Sequence, residues 1–379
     1  MLMLKNKLTK LSVLILILPI FLSGCISITS KNEISLGGFF LSNTQGDEWG
    51  HRTNVYVSNN EPRTFAGANI TKIAFDPQDK AAIYLGTQNS GLFYSYNYGI
   101  GWVNALTYAG TINDIVVHPR NKCIVYVAAH NKIWKTEDCS RTWSDIYFEA
   151  RPEQYVTSLN INHANPDIVY AGTSSGSFLR SLDKGNSWDV LWRFSNNVKE
   201  IIVQNHSDSN IIYAITQGKG VFRSSDGGED WEDLMKLPVY KLENVTEDGR
   251  IFTAIKQDDE GLPFFKISGV KISVAADSDR SQPDALIYGN RIGMFRFMGN
   301  HWEQFNLLTP NKKETIYSVV VNPLDGDDIY YGTSKALYHT VDRGANWIIK
   351  ELPTNRVAGE LAFSPDNQFL YLGAYKISK

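Results

Sequence analysis

The hydrophobic positions of the chain fall into short runs that are separated by turn residues. Residues 70–75 alternate apolar and polar side chains, and residues 83–85 form a continuous apolar run that ends at a glycine. Both patterns are typical of β-strands, half-buried in the first case and fully buried in the second. After residue 24 no stretch shows the apolar period of an amphipathic helix. The pattern therefore predicts an all-β protein.

These short strands recur in groups of four with a period of about 43 residues. Each complete group has an alternating strand, an apolar strand that ends in Gly or Ala, a third strand, and a fourth strand that follows a tryptophan. The complete groups occupy residues 70–102, 112–143, 156–188, 198–231 and 316–347. Four short strands per unit at this spacing are typical of the blades of a β-propeller.

The sequence leaves two alternatives for the number of blades. Residues 241–302 are less regular than the rest, although residues 270–302 recover most of the repeat. First strands counted near residues 70, 112, 156, 198, 241, 271, 316 and 359 predict eight blades. Since the sixth of these is thin, seven blades with an insertion is the alternative.

The two ends of the chain complete each other. Residues 357–375 supply a first and a second strand, and the chain stops where a third strand is due. Residues 38–41 supply that third strand, and the tryptophan at position 49 follows them. We therefore expect one closed propeller in which the N- and C-terminal segments share the closing blade, so that no sheet edge stays open between first and last blade.

An eight-residue motif, Ser/Thr-x-Asp-x-Gly-x-x-Trp, lies between the third and fourth strands. It is clearest at residues 224–231, returns at 181–188 and 340–347, and has weaker copies that end at Trp49, Trp102, Trp143 and Trp302. The aspartate can accept hydrogen bonds from its own turn, the glycine supplies a positive φ, and the tryptophan supplies apolar surface between sheets. The predicted structural residues are Asp138, Trp143, Asp183, Gly185, Trp188, Asp226, Gly228, Trp231, Asp342, Gly344 and Trp347.

This motif resembles the Asp box, or bacterial neuraminidase repeat, and the resemblance covers essentially all of the chain after its first residues. In that family the motif lies away from the active face, which implies a structural role here too. Asp-box propellers include sialidases and xyloglucanases, photosystem II assembly-factor-like lipoproteins and, more distantly, sortilins. In sialidases the first arginine that binds the substrate carboxylate lies in an Arg-Ile-Pro-like motif. The nearest match here, residues 61–64, reads Glu-Pro-Arg-Thr and has the residues in the wrong order. Xyloglucanases use paired aspartates in a cleft between two propellers, and only one propeller fits this chain.

Charge and the first residues bear on location and partners. The formal net charge is -3, and the first 24 residues carry three lysines and no acid, which leaves a mildly acidic body. Such a body argues against nucleic acid as a partner. Residues 1–24 resemble a lipoprotein signal peptide that ends Leu-Ser-Gly before Cys25. Cys25 would then be lipidated, with 25–36 as lipidated cysteine and spacer and 37–379 as the propeller.

That reading places the protein outside the cytoplasm, attached to the periplasmic or cell-surface side of a membrane by its N-terminal lipid alone. Ile26 favours the outer membrane if the cell is Gram-negative. An ordinary signal peptide, or an uncleaved anchor with Cys25 incidental, remains the alternative. The other two cysteines, Cys123 and Cys139, form an even pair in an exported protein, which favours a disulfide over a metal site. They lie in two turns on one face of one blade, beside Ser140 where the motif calls for glycine.

The candidate binding face is the one opposite the motif, formed by the loops between second and third strands and the loops that enter first strands. Its candidate residues are Gln88, His130, Tyr155, Lys219, Arg291 and Arg356, with Tyr108 nearby. Ordinary solvated loops are the alternative reading of any one of them. We find no catalytic constellation, metal-ligand spacing or cofactor motif. The sequence thus favours a non-catalytic scaffold that binds protein or peptide, with a glycan-active or glycan-binding propeller as the alternative.

Overall fold

The computed structural model describes residues 35–56, 63–204, 210–246, 249–254, 286–289, 293–308 and 314–377. These residues form 31 strands and two single-turn 3-10 helices, Thr107–Ala109 and Leu234–Lys236. No helix among them is long and apolar enough to cross a membrane. The all-β prediction is confirmed.

The strands form seven sheets arranged as the blades of a closed ring, with a small separate hairpin. The chain begins with β1 (Gly38–Ser42), β2 (Gly50–His51) and the hairpin strands β3 (Asn54–Val55) and β4 (Arg63–Thr64). Blade 1 holds β5 (Ile70–Asp76), β6 (Asp79–Thr87), β7 (Leu92–Ser95) and β8 (Val103–Leu106). Blade 2 holds β9 (Ile112–Val117), β10 (Val125–Ala129), β11 (Lys132–Thr136) and β12 (Ser144–Phe148).

The next two blades repeat this arrangement. Blade 3 holds β13 (Val156–Ile161), β14 (Val169–Thr173), β15 (Ser177–Ser181) and β16 (Asp189–Arg193). Blade 4 holds β17 (Val198–Val203), β18 (Ile212–Thr216), β19 (Gly220–Ser224) and β20 (Glu232–Asp233).

The remaining strands complete the ring. Blade 5 joins β21 (Val239–Thr246) and β22 (Gly249–Ala254) to β23 (Leu286–Gly289), β24 (Met294–Phe297) and β25 (Trp302–Gln304). Blade 6 holds β26 (Ser318–Asn322), β27 (Asp325–Gly332), β28 (Ala336–Thr340) and β29 (Ile348–Glu351). Blade 7 combines β30 (Val357–Phe363) and β31 (Leu370–Tyr375) with β1 and β2.

The count of eight blades is wrong, and the seven-bladed alternative is correct. The strands near residue 241 do not begin a blade of their own. Instead β21 pairs in parallel with β25, so that β21 and β22 extend the outer edge of blade 5. Blade 4 packs directly on β23, β24 and β25 through Ile215, Tyr288 and Phe297, which leaves no room for a further blade between them. The first strand expected near 271 lies outside the described residues.

The predicted closure of the ring is confirmed. β1 runs antiparallel to β31, with Gly38 opposite Ala374 and Ser42 opposite Leu370. Phe39 of β1 stacks on Tyr371 of β31 and meets the edge of Trp102 from blade 1. The N-terminal strands therefore complete blade 7 and its contact with the next blade.

The hydrophobic core is divided among the interfaces between blades. Seven clusters of buried side chains can be distinguished among the described residues, and each lies between two neighbouring blades. In six blades the first strand, β5, β9, β13, β17, β26 or β30, lies innermost, and several of these strands hydrogen-bond to the next one around the ring. Asn113 Nδ2, for example, donates to the carbonyl of Val156 over 2.7 Å, and Thr157 Oγ1 donates to that of Val198. The first strands therefore line the centre of the ring.

Candidate functional site

The repeated motif forms the same compact turn in each complete copy. In blade 4 the Ser224 hydroxyl donates to Asp226 Oδ1 over 2.7 Å and accepts from the amide of Gly228 over 2.8 Å. The Asp226 carboxylate also accepts from the amides of Glu229 and Asp230. The Trp231 indole N–H donates to the carbonyl of Gly228. The Ser224 hydroxyl, the Asp226 carboxylate and the Trp231 indole N–H are thus used inside the turn.

The aspartates of the other copies accept hydrogen bonds in the same way, although the Trp347 indole N–H donates to the carbonyl of Asn306 and not to its own glycine. Asp183 accepts from Ser181 Oγ, from the amide of Ser187 and from Ser187 Oγ, the last over 2.6 Å. These hydrogen bonds, led by the one from the Ser187 side chain, lower the pKa of Asp183 to about 2. Bonds from Thr142 lower the pKa of Asp138 in the same way, again to about 2. Gly185, Gly228 and Gly344 all take a positive φ. Such acids stay ionised at neutral pH and bind their own turn.

Blade 2 departs from this pattern at the two positions that the sequence singled out. Ser140 takes a positive φ at the place where the regular copies have glycine, whereas the positive φ of Cys139 is shared by Lys184 and Arg343 at the same place of their copies. Cys123 and Cys139 are joined by a disulfide, and their backbones also pair through a 3.2 Å hydrogen bond. The indole N–H of Trp143 has no partner among the described residues. The disulfide therefore closes the turn in which the glycine and the indole contact are both missing.

The centre of the ring carries charged residues that the sequence analysis missed. They lie near the start of the innermost strands, at Lys72 in blade 1, Asp114 in blade 2, Glu200 in blade 4 and Glu360 in blade 7. Lys72 Nζ lies 3.1 Å from Asp114 Oδ1 and 3.6 Å from Glu200 Oε1. The register of the first strands shifts at the preceding residue in blades 1, 2, 3, 4 and 7. Such bulges re-aim side chains.

In this cluster the carboxylate of Asp114 is held in place by two backbone amides. Its Oδ2 accepts from the amide of Leu159 in blade 3, and its Oδ1 accepts from the amide of Ile115. Burial disfavours the charged form of Lys72, but Asp114, Glu200 and Glu360 outweigh burial and raise the pKa of Lys72 above its usual value. One cation therefore holds carboxylates from three other blades at the mouth of the channel, on the face opposite the motif.

The predicted binding-face residues lie on that same face, and the structure joins some of them. His130 follows β10, and its ring lies 6.4 Å from that of Tyr155, which precedes β13. Gln88 follows β6 and Lys219 precedes β19, where its side chain is exposed. Arg291 lies outside the described residues, as does Cys25.

Arg356 is bound within the fold. Its guanidinium donates to the carbonyls of Gly67 and Ala68, to Asn69 Oδ1 and to Ser35. Asn69 Nδ2 in turn donates to Gln88 Oε1 over 2.7 Å. The network joins the loop before blade 7 to the loop before blade 1 and to the start of the described chain. Arg356 and Gln88 thus serve to hold loops together.

Exposed aromatic rings line one sector of this face. Tyr108 is 67% exposed and Tyr155 is 44% exposed, with His130 between their loops. His130 packs against the turn that carries Tyr108, because a Cβ added at Gly110 would lie 2.6 Å from His130 Nε2. We call Tyr108, His130 and Tyr155 the rim strip. Among the described residues no three His, Cys, Asp or Glu side chains come together as a metal site.

Comparison with known proteins supports the class of fold. No protein-family model and no curated protein matches the chain. The chain is similar in structure to a GH74 xyloglucanase from Xanthomonas campestris, at 14% identity and a TM-score of 0.58, covering 81% of this chain and 51% of the enzyme. It is similar to YCF48 from Cyanidioschyzon merolae at 11% identity and a TM-score of 0.57, covering 85% and 98%.

A third similar structure is YCF48 bound to D1 peptide, at 16% identity and a TM-score of 0.53, with 82% of this chain and 94% of that one covered. The chain spans about half the length of the xyloglucanase. At these identities the likeness shows the fold alone. The protein is a seven-bladed β-propeller.

We predict that the motif aspartates act on stability and not on chemistry. Since the folded-state pKa of Asp183 lies below its ordinary value of 3.8, its stabilising contribution is complete above a pH of about 4 and is lost as the pH falls towards about 2. Asp183→Asn should lower the unfolding midpoint at pH 7, and the difference should shrink in that window. Asp189→Asn, an exposed aspartate on β16, is the control. A midpoint unchanged at pH 7 would contradict this role.

A second prediction concerns the channel. Lys72→Met removes the cation that pairs with Asp114 and Glu200, so it should cost about 1–3 kcal/mol of stability at pH 7, measured by chemical denaturation. Lys80→Met, which removes an exposed lysine paired with Asp366, is the control. Equal effects of the two substitutions would show that the central cluster contributes nothing.

Proposed function

We propose that this protein is a non-catalytic propeller that holds a protein or peptide segment against the face opposite its motifs. The observation that carries the proposal is the rim strip, where two exposed tyrosines and a histidine lie side by side at the mouth of the ring. Aromatic side chains of this kind supply much of the energy of protein recognition because they bury a large surface at low entropic cost.

The charges beneath the rim fit a binding role. Lys72 pairs with Asp114 and Glu200, and these charges raise the pKa of Lys72 above its usual value, so that its ammonium group stays protonated at neutral pH. The motif acids Asp138 and Asp183 are held ionised by their own turns. The contacts that these four acids make are therefore structural. The fold is shared with the structure of YCF48 bound to D1 peptide, which supports a peptide as the class of ligand.

We further propose that the protein is exported and attached to a membrane through a lipid on Cys25, with the propeller in the periplasm or at the cell surface. The extracellular propeller domain of BT4673 from B. thetaiotaomicron is similar in fold and supports such a location. In this proposal no nucleic acid or cofactor takes part, and the propeller itself does not enter the bilayer.

A glycan is the second candidate ligand. Exposed aromatic rings also stack on sugar rings, and the fold is shared with a GH74 xyloglucanase. Hydrolysis would require a pair of carboxylates about 5–10 Å apart across a cleft that admits a sugar. At the ring centre Asp114 and Glu200 both lie beside Lys72, at 3.1 Å and 3.6 Å from its Nζ.

The lipid anchor can be tested directly. Cys25→Ala should abolish incorporation of a labelled fatty acid in the native host, because the thiol that carries the lipid is gone. Cys123→Ala is the matched control and should label as the wild type does. Labelling that survives Cys25→Ala would exclude the lipoprotein interpretation.

The binding function can be tested with the full-length protein in its native membrane. Cross-linking and affinity capture should recover a partner that is identified by mass spectrometry and then rebinds when purified. His130→Ala with Tyr155→Ala should weaken that rebinding by about tenfold or more, since two contact residues are truncated.

Leu182→Ala is the control, because Leu182 is an exposed apolar residue of a motif on the opposite face. Equal binding by the rim variant and the wild type would contradict the proposal. Turnover of fluorogenic sialosides or β-glucans by the purified protein, lost on Asp114→Asn, would establish the glycosidase alternative instead.

A further inference from the structure

Two blades have their outer edges extended by other parts of the chain. In blade 5, β21 pairs in parallel with β25, and Val239 lies opposite Trp302. In blade 1, Val55 forms a parallel bridge with Trp102, which directly precedes β8. Trp102 and Trp302 both occupy the eighth position of the repeated motif. The same edge is therefore used twice, in the same strand direction and at the same register.

The hydrogen bonds of the two added segments match. The Trp102 amide donates to the carbonyl of Asn54 over 3.0 Å, and the Trp302 amide donates to that of Pro238 over 2.8 Å. In each case the acceptor is the residue before the valine. The indole N–H groups also donate to these segments, at Arg52 and at Leu234. Both tryptophans are completely buried as a result.

The side chains of the two segments match as well. A tyrosine follows the valine in both, and it packs on the seventh residue of the motif. Tyr56 lies so close to Gly101 that a Cβ there would be 2.2 Å from its ring, and the Tyr240 ring lies 5.2 Å from that of His301. The motif and the fourth strand together therefore make a slot for an extended Val-Tyr segment.

On blade 6 the Trp347 indole N–H donates to the carbonyl of Asn306 over 2.7 Å, but among the described residues no segment pairs with β29. β29 is the last strand of its sheet there, and its Ile348 and Ile349 are 58% and 60% exposed. Two adjacent exposed isoleucines on an edge strand are unusual, because such an edge invites pairing. The strand is also held in place, since Lys350 Nζ lies 2.6 Å from Asp47 Oδ1 of blade 7. A rigid edge loses little entropy when a partner binds.

We propose that the outer edge of blade 6 binds an extended segment of a partner protein, parallel to β29, with a β-branched residue opposite Trp347 and an aromatic residue on Asn346. The register of blade 5 carries over, so the peptide groups of Trp347 and Ile349 face outward and pair with the segment, while Ile348 and Lys350 pair with β28. This is strand addition to a sheet edge, in which backbone bonds supply affinity and alternate side chains supply specificity.

The partner is defined by what the chain itself places in the other two slots. In both slots a β-branched residue is followed by an aromatic one. Apolar side chains of the partner would cover the exposed Ile348 and Ile349. This surface lies on the outside of the ring, separate from the rim strip, and the proposal does not depend on the function proposed above.

A synthetic peptide with the sequence of residues 236–243 tests the slot, because that segment carries Val239 and Tyr240. Its fluorescently labelled form should bind the full-length protein in an anisotropy titration, and a scrambled peptide of the same composition should not. Ile349→Pro removes the outward N–H and leaves the β28 pairing intact, so it should weaken binding by about tenfold or more. Ile349→Val keeps both N–H and shape and is the matched control.

A second variant distinguishes a loss of binding from misfolding of the proline variant. Ile349→Lys keeps the backbone donor but places a charge on the docking surface, and it should also weaken binding while leaving the melting temperature unchanged. In hydrogen exchange, the Ile349 amide should exchange quickly in the free protein and slowly with the peptide.

Three results would overturn the proposal. Equal binding of the native and scrambled peptides, or binding unchanged by both Ile349 variants, would show that the slot is not used. Slow exchange of the Ile349 amide in the free monomer would show that a segment of this chain already covers it. A homodimer that Ile349→Pro dissolves would show that the occupant is a second copy.

Discussion

The pairing of β1 with β31 is the constraint on which the rest of the ring depends. Each blade buries its apolar faces only against its two neighbours, so an open ring would leave blade 7 and blade 1 each with one uncovered face. Phe39 shows the connection directly, since it stacks on Tyr371 within blade 7 and contacts Trp102 of blade 1. Arg356 adds a second tie at the same place by binding Ser35 and the loop before blade 1. Closure therefore involves both apolar packing and a polar clasp.

The repeated motif links the blades in a different way. Its aspartate and glycine shape the turn, while its tryptophan reaches the preceding blade, as Trp231 does when its edge meets Phe178 and Phe194. Trp102 and Trp302 make an additional contact, because the indole of each donates to the segment that is added at the outer edge of its blade, at Arg52 and at Leu234. One local pattern thus supports two kinds of packing. Which kind occurs is decided by whether an extended segment is available at the outer edge.

Much of this fold could be predicted from local pattern, because each blade is built from neighbouring strands. The closing blade was also predictable, since both termini carry incomplete repeats. The predicted number of blades is wrong because of residues 239–254, where two alternating strands resemble the start of a blade. Their actual position depends on the parallel pairing of β21 with β25, a contact across about 60 residues that no local pattern specifies.

The candidate site was only partly predictable for the same reason. Loop positions such as His130 and Tyr155 follow from strand order alone, whereas Lys72 and Glu200 come together only because the ring places their strands across the channel from each other. A charged residue close to the start of a first strand was the available signal. Arg356 illustrates the opposite error, since its loop was placed correctly while its side chain is used within the fold.

Arg356 holds Ser35, the first described residue, on the face that carries the rim strip. The rim strip, the hydrogen bonds of Arg356 and the ion pairs of Lys72 therefore share one face of the ring, and the motif turns lie on the opposite face. The edge of blade 6 lies on the outside of the ring, so a strand added there need not compete with a segment bound at the rim.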